Sequence, residues 1–213
     1  DATVATGGGS GLSNNTRGVT TGLGSTNAMD YVTIASAANA TDFGDLATAS
    51  NLGSACSSTT RGVIAIGYNG SSYNNDSINY ITIASAGNAT DFGNLSQART
   101  WSASSGSTTR GVFGGGGDGS SYYNIMDYIT IASAGNATDF GDLSVTNRCS
   151  CSGSGSTKAV FARSAGASTD AERSYIDIIT VASTGNGADF GDLTYKGTIQ
   201  TAAAGDSTPS QQG

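Results

Sequence analysis

Histidine is absent from this chain of 213 residues, cysteine occurs three times, and proline and tryptophan once each. There is one glutamate and there are two lysines; charged residues make up 12%, about half the usual fraction. Without histidine, no side chain titrates near neutrality unless perturbed, and acid–base chemistry falls mainly to Asp, Tyr and Cys. Three thiols and no imidazole are too few for a zinc site. No apolar run approaches the roughly 18 residues of a membrane span, and no signal peptide is visible. The chain starts at Asp1 rather than Met, as a processed protein or a fragment would. The net charge is −7 with a pI near 4.2, and the arginines are scattered, so nucleic acid is not an expected partner. Charged helix formers are scarce and no window carries a helical stripe, which excludes an α-helical core.

What is present is a repeat. The phrase Tyr31–Phe43 returns almost unchanged at Tyr80–Phe92 and Tyr128–Phe140, with a weaker copy at Ile178–Phe190. Counted between Phe43, Phe92, Phe140 and Phe190, the spacings are 49, 48 and 50. Two residues after each Phe comes Asp45, Asn94, Asp142 or Asp192, and 16 residues after the first three comes Arg61, Arg110 or Lys158. Arg17 lies 16 residues after Asp1, so the chain begins within a repeat. From the basic residue to the next Tyr (Ile178 in the last copy) the spacing varies: 14, 19, 18 and 20. One variable loop per unit therefore carries the insertions: 22–27, 67–77, 114–124 and 163–173. That is the pattern of a repeat protein with a loop-bearing face.

The β-branched and aromatic run Tyr31–Ala35 and its copies predict strands, as do Arg61–Ile66, Arg110–Phe113 and Ala40–Leu46. A fourth strand is expected in the Ser/Thr/Ala-rich stretch after each Leu46 equivalent. Fixed Ile, Val, Tyr and Phe at constant spacing argue against disorder. Four short strands per repeat of about 48 residues suit a propeller blade.

Arg110-Gly111-Val112-Phe113-Gly114-Gly115, then Tyr128 and Phe140, resembles the kelch repeat, with Phe in place of the family's Trp. The wording Gly-Asn-Ala-Thr-Asp-Phe-Gly-Asp-Leu is also similar to repeats of kelch-like proteins from aquatic bacteriophages and bacteria. The resemblance covers residues 1 to about 195. It implies an all-β chain: a β-propeller of about four kelch-like four-stranded blades, one domain over residues 1–213. The units are approximately 1–44, 45–93, 94–141 and 142–191, with 192–213 a closing strand or tail. Asp1–Asn15 and Leu193–Ser207 are candidates for redundant closing strands, or for exchange with a neighbouring subunit. A larger propeller is the alternative.

Several residues invite specific chemistry. The four Asp-Phe-Gly triplets suggest a kinase motif, but the partner motifs are missing. The glycine run Gly114–Gly117 lacks the Gly-Lys-Ser/Thr ending of a phosphate loop. The acid pairs Asp42/Asp45, Asp139/Asp142 and Asp189/Asp192 suit Ca²⁺ but lack EF-hand spacing. They are expected instead to cap the preceding turn with the side chain of the first Asp and to ion-pair within the blade, through the second, with the basic residue 16 positions on. Arg17, Arg61, Arg110 and Lys158 are accordingly expected to tie each blade together rather than to line an anion site; Phe43, Phe92, Phe140 and Phe190 are expected to be structural residues of the repeat. No cofactor is expected. Cys56, Cys149 and Cys151 stand at non-equivalent positions; the readings are incidental small residues or a disulfide from Cys56. Asn-X-Ser/Thr triplets at Asn14, Asn39, Asn69, Asn75, Asn88, Asn94 and Asn136 allow glycosylation only if the host supplies it.

The residues free to contact a ligand are the loop aromatics Tyr68, Tyr73, Tyr122 and Tyr123, with Trp101 at a position held elsewhere by Gly8, Leu52 and Cys149. Aromatic faces beside Asn, Asp and Gly suit carbohydrate, so glycans are a candidate partner. Low charge and abundant Ser, Thr, Asn and Gly fit an extracellular or virion-surface β-protein. The expectation is a non-enzymatic structural or adhesive element of a virion appendage or extracellular filament, self-associating or bound to other surface proteins. A discrete lectin-like module is the alternative, and a polysaccharide-acting enzyme the weakest.

Overall fold

In the computed structural model, residues 8–22, 24, 26–165 and 175–194 are described, and none of them lies in an α-helix. Their strands form four antiparallel blades. Blade 1 contains β1 (Ser10–Ser13), β2 (Arg17–Thr21), β3 (Thr26–Thr33) and β4 (Thr41–Ser50). Blade 2 contains β5 (Ser54–Ser57), β6 (Arg61–Ala65), β7 (Ser77–Thr82) and β8 (Thr90–Asn94). Blade 3 contains β9 (Ala103–Gly106), β10 (Arg110–Gly114), β11 (Tyr123–Thr130) and the first part of β12 (Thr138–Ser154). The 17-residue β12 then becomes the first strand of blade 4, beside β13 (Lys158–Ala165), β14 (Tyr175–Thr180) and β15 (Ala188–Asp192). The Ser/Thr/Ala-rich stretch after each Leu thus supplies the first strand of the following blade.

These first strands adjoin one another around a common axis. They are built of small residues because they crowd there. Ser57 Oγ donates to the Ser13 carbonyl, Ser104 Oγ to that of Ala55, and Ser152 Oγ to that of Ser104. Each of these serines bonds the preceding blade.

The core is divided by junction, not by blade. One cluster joins Leu12, Met29, Phe43 and Leu46 of blade 1 to Ile64, Ile66, Ile81 and Ile83 of blade 2. The second joins Val63, Ile78, Phe92 and Leu95 to Phe113, Ile129 and Ile131. The third joins Val112, Met126, Phe140 and Leu143 to Phe161, Ile179 and Val181. Strand alternation explains the division: Val63 and Ala65 point to one neighbour, Ile64 and Ile66 to the other. A blade cannot bury its own faces, so stability comes from the stack.

Of the candidate closing segments, Ser10–Ser13 is the first strand of blade 1. Residues 1–7 and 195–213, and 166–174 of the last variable loop, lie outside the described residues.

Candidate functional site

The repeat phrase builds one device four times, a β-bulge at Phe. Asp30 pairs with Asp42 and Met29 with Gly44, so Phe43 is an extra residue that the neighbouring strand does not pair. Phe92, Phe140 and Phe190 are bulged in the same way. The first Asp of the acid pair holds the bulge: Gly44 N–H donates to Asp42 Oδ1 at 3.3 Å, Gly141 to Asp139 at 3.1 Å, and Gly191 to Asp189 at 3.0 Å. The Asp does cap, but the cap falls on the bulge that follows it rather than on the preceding turn, which corrects the expectation. The glycine is required because φ is 128–141° and the next blade's turn lies against it. A Cβ on Gly44 or Gly141 would stand 2.6 Å from a carbonyl carbon of Gly87 or Gly185.

The unpaired Phe carbonyl is turned outward to the next blade. Gly87 N–H donates to Phe43 O, Gly135 to Phe92 O and Gly185 to Phe140 O, at 2.6, 2.6 and 2.7 Å. Beside it, Ala89 donates to Asp45 O, Ala137 to Asn94 O and Gly187 to Asp142 O. Asn88, Asn136 and Asn186 accept through Oδ1 from the N–H of Asp45, Asn94 and Asp142. The buried Asn79, Asp127 and Asp177 accept from Ala47, Ser96 and Ser144 of the preceding blade. Each junction thus repeats four hydrogen bonds over a buried Phe.

The basic residues join this device, which corrects the intra-blade ion pair expected for them. Arg17, Arg61 and Arg110 donate to the carbonyls of Ile83, Ile131 and Val181 on the next blade. Each guanidinium lies over its own blade's Tyr31, Tyr80 or Tyr128 at 4.2–4.4 Å. That Tyr meets Phe43, Phe92 or Phe140 edge to face at 5.9–6.1 Å. Held over the ring, each guanidinium lies within hydrogen-bond reach of the carbonyl across the junction. Lys158 instead donates to Thr180 Oγ1 of its own blade.

At the two ends of the arc no other blade of the described residues lies against the device. Phe190 is 61% exposed, against 2% for Phe43, Phe92 and Phe140. A Cβ on Gly191 would meet nothing within 4 Å. On blade 1, Val32 and Ile34 are 40% and 57% exposed, whereas their equivalents Ile81 and Ile83 are 3% and 0%. Asp192 closes β15. A cavity of about 700 Å³ borders the open face of blade 1, lined by Val32, Ala38, Leu12, Cys56, Ser105 and Gly153 among others. The last four are equivalent residues, one from the first strand of each blade.

The loop aromatics divide into two groups. Tyr68, Tyr73 and Trp101 form one stack: 4.4 Å at 29° between the tyrosines, 4.7 Å at 26° between Tyr73 and Trp101. Arg148, which the sequence reading passed over, lies 4.0 Å above the Trp101 ring. Two groups at such distances cannot share one ring face, so both faces of Tyr73 and of Trp101 are occupied. The Trp101 backbone is left-handed (φ 58°), like Leu52 (58°) and Gly8 (71°). Leu52 N–H donates to Gly8 O and Trp101 N–H to Leu52 O, so these positions link successive blades. Tyr122 and Tyr123 belong elsewhere: Gly117 bridges to Tyr122, and Tyr123 donates to Asp118 at 2.7 Å. That bond, with the N–H groups of Ser121 and Ser120, lowers the exposed Asp118 carboxyl to about 2; the Tyr123 hydroxyl is raised by the same bond.

A buried ion pair was also missed. Arg99 and Asp127 meet at 2.8 Å with both side chains fully covered, and Arg99 also bonds the carbonyls of Gln97 and Phe113. Arg99 stands in the polar stretch Ser96-Gln97-Ala98-Arg99-Thr100, so the local sequence carries no signal of the pair. Cys56 is a free thiol, so the disulfide alternative from it falls. It is half-buried by area, but its sulfur packs against Gly111, and this burial pushes the thiol up to about 12. Among the described residues, no three His, Cys, Asp or Glu side chains cluster as metal ligands, and no helix is long and apolar enough to cross a membrane.

Four four-stranded antiparallel blades around one axis define a β-propeller. The solved structure of YjhT is similar to this chain, with a TM-score of 0.74 at 7% sequence identity. The match covers 92% of this chain and 68% of that one, and it carries the fold alone. No protein-family model matches the sequence, and no curated protein is significantly similar to it.

Proposed function

We propose that this chain is a non-enzymatic structural or adhesive β-propeller that assembles through its terminal blades, in a virion appendage or an extracellular filament. One observation carries the reading. The surfaces that hold the interior together are also presented on blades 1 and 4, where Val32, Ile34 and Phe190 are exposed. An exposed apolar face with preformed backbone geometry marks an interaction site. The repeat resemblance and the low-charge, Ser/Thr/Asn/Gly-rich composition support the virion or extracellular setting. The absence of histidine supports a role without catalysis.

The lectin alternative is weakened because Tyr73 and Trp101 spend their faces on each other and on Arg148. Light scattering after size exclusion, with electron microscopy of the same fractions, tests the assembly reading: defined oligomers, filaments or capture on a partner particle are expected. Depolymerisation of a polysaccharide during incubation would refute the non-enzymatic role. Chelation by EDTA is expected to leave the melting temperature unchanged, because Asp42, Asp139 and Asp189 act as caps.

A further inference from the structure

Resting on that reading, we propose that the partner of the open faces is a second copy of this chain, blade 4 of one copy docking head to tail on blade 1 of the next. Both halves of the internal junction exist here, one at each end of the arc. Blade 4 carries the donating half: the bulge is formed, with Asp177 opposite Asp189 and Ile176 opposite Gly191, and Asp189 holds the Gly191 N–H at 3.0 Å. Phe190 stands out at 61% exposure. Blade 1 carries the accepting half, with Val32 and Ile34 where blade 2 has Ile81 and Ile83.

The one change in the accepting turn removes a glycine whose φ is 158° at Gly87 and 155° at Gly185, so Ala38 takes a negative φ there while its methyl has room. Ala38 replaces the glycine found at 87, 135 and 185, and a Cβ on those glycines would meet nothing within 4 Å. Its N–H would meet the Phe190 carbonyl as Gly87 meets Phe43. Lys158 keeps the charge of Arg17, which binds the Ile83 carbonyl; the matching carbonyl here is that of Ile34. Lys158 and Ile178 replace the Arg and Tyr of the internal copies, so this junction lacks the cation–aromatic stack and is weaker than those inside. A point charge cannot reproduce a stacked guanidinium.

The contact is heterologous, so copies close into a ring if the rotation allows and otherwise extend as a filament. Two copies would make eight blades, within the usual range of about 4–8.

The experiment uses the full chain and sedimentation velocity across about two decades of concentration around micromolar. The wild type is expected to associate as concentration rises. Phe190→Asp and Ile34→Asp, both at exposed positions, are expected to melt like the wild type yet stay monomeric. Mixed in equal amounts, they should form a dimer that grows no further, because each retains one sound face. If either variant misfolds, Phe190→Ser and Val32→Lys replace it in the same mixing design.

A wild type monomeric throughout overturns the head-to-tail inference but leaves the assembly reading standing on a different partner. Variants that associate as the wild type does, through surfaces elsewhere, overturn both. Monomeric variants whose mixture stays monomeric overturn the head-to-tail geometry alone.

Discussion

Phe140 and Phe190 are bulged in the same way, each followed by a glycine held by the preceding Asp, yet one is 2% exposed and the other 61%. The difference is the neighbour. Phe140 has the turn of blade 4 against its carbonyl and Ile179 and Val181 in the cluster around its ring; among the described residues no further blade meets Phe190. The bulge is therefore completed within a blade, and the blade that follows only fills it. Three filled junctions and two open halves of another, among the described residues, allow the contribution of the contact to be separated from that of the local geometry.

The largest expected effect tests that separation directly. Phe140→Ala should cost about 3–5 kcal/mol in denaturant unfolding, the usual toll for emptying a buried aromatic site. Phe190→Ala in dilute monomer should stay within about 0.5 kcal/mol of the wild type. Equal losses would mean that Phe190 is covered in solution. Next comes the glycine pair. Gly93→Ala places a methyl against the Gly135 carbonyl and should cost about 3 kcal/mol from strain and overpacking. Gly191→Ala has only the backbone strain, about 1 kcal/mol.

The basic residues should differ less. Arg61→Met removes two hydrogen bonds to the Ile131 and Ala132 carbonyls and the contact with Tyr80, at about 2 kcal/mol. Lys158→Met should lie within about 0.5 kcal/mol. The smallest effect is chemical. With its thiol raised to about 12, Cys56 should resist alkylation at pH 8 while the chain is folded. The unfolded thiol ionises near 9 and the folded one near 12, so the folded state holds the extra proton between those values. Stability is flat below pH 9 on this account and falls as pH rises from 9 towards 12. A Cys56→Ser variant whose stability falls equally over that window would assign the loss to another group.

Much of the fold was legible because its determinants recur. Constant spacing between Phe43, Phe92 and Phe140, with β-branched runs before each, fixes a short all-β unit that cannot stand alone. The cap at Asp42 was legible in kind but not in place: an Asp beside a turn pointed to that turn, whereas its side chain holds the Gly two residues on. The partner of Arg61 was not, because a carbonyl on the next blade leaves no mark at a fixed distance along the chain, whereas Asp45 does and drew the ion-pair expectation. Nor was the meeting of Tyr68, Tyr73, Trp101 and Arg148, which come from different repeats and converge only because the ring places their loops side by side. The bulge was hidden for a simpler reason: two residues against one is a property of the pair of strands, not of either sequence.

The placement of the junction within the most constant stretch of the repeat bears on how such chains change in length. The phrase from the turn Asn to the bulge Gly carries much of what one blade needs to receive its predecessor and to present itself to its successor. It reads almost identically at 88–93 and 136–141, Asn-Ala-Thr-Asp-Phe-Gly. Recombination between two such near-identical stretches of the gene would add or delete a whole number of blades and leave every remaining joint correctly formed. On that footing circumference would change by whole blades, since the joint is written inside the repeated phrase itself.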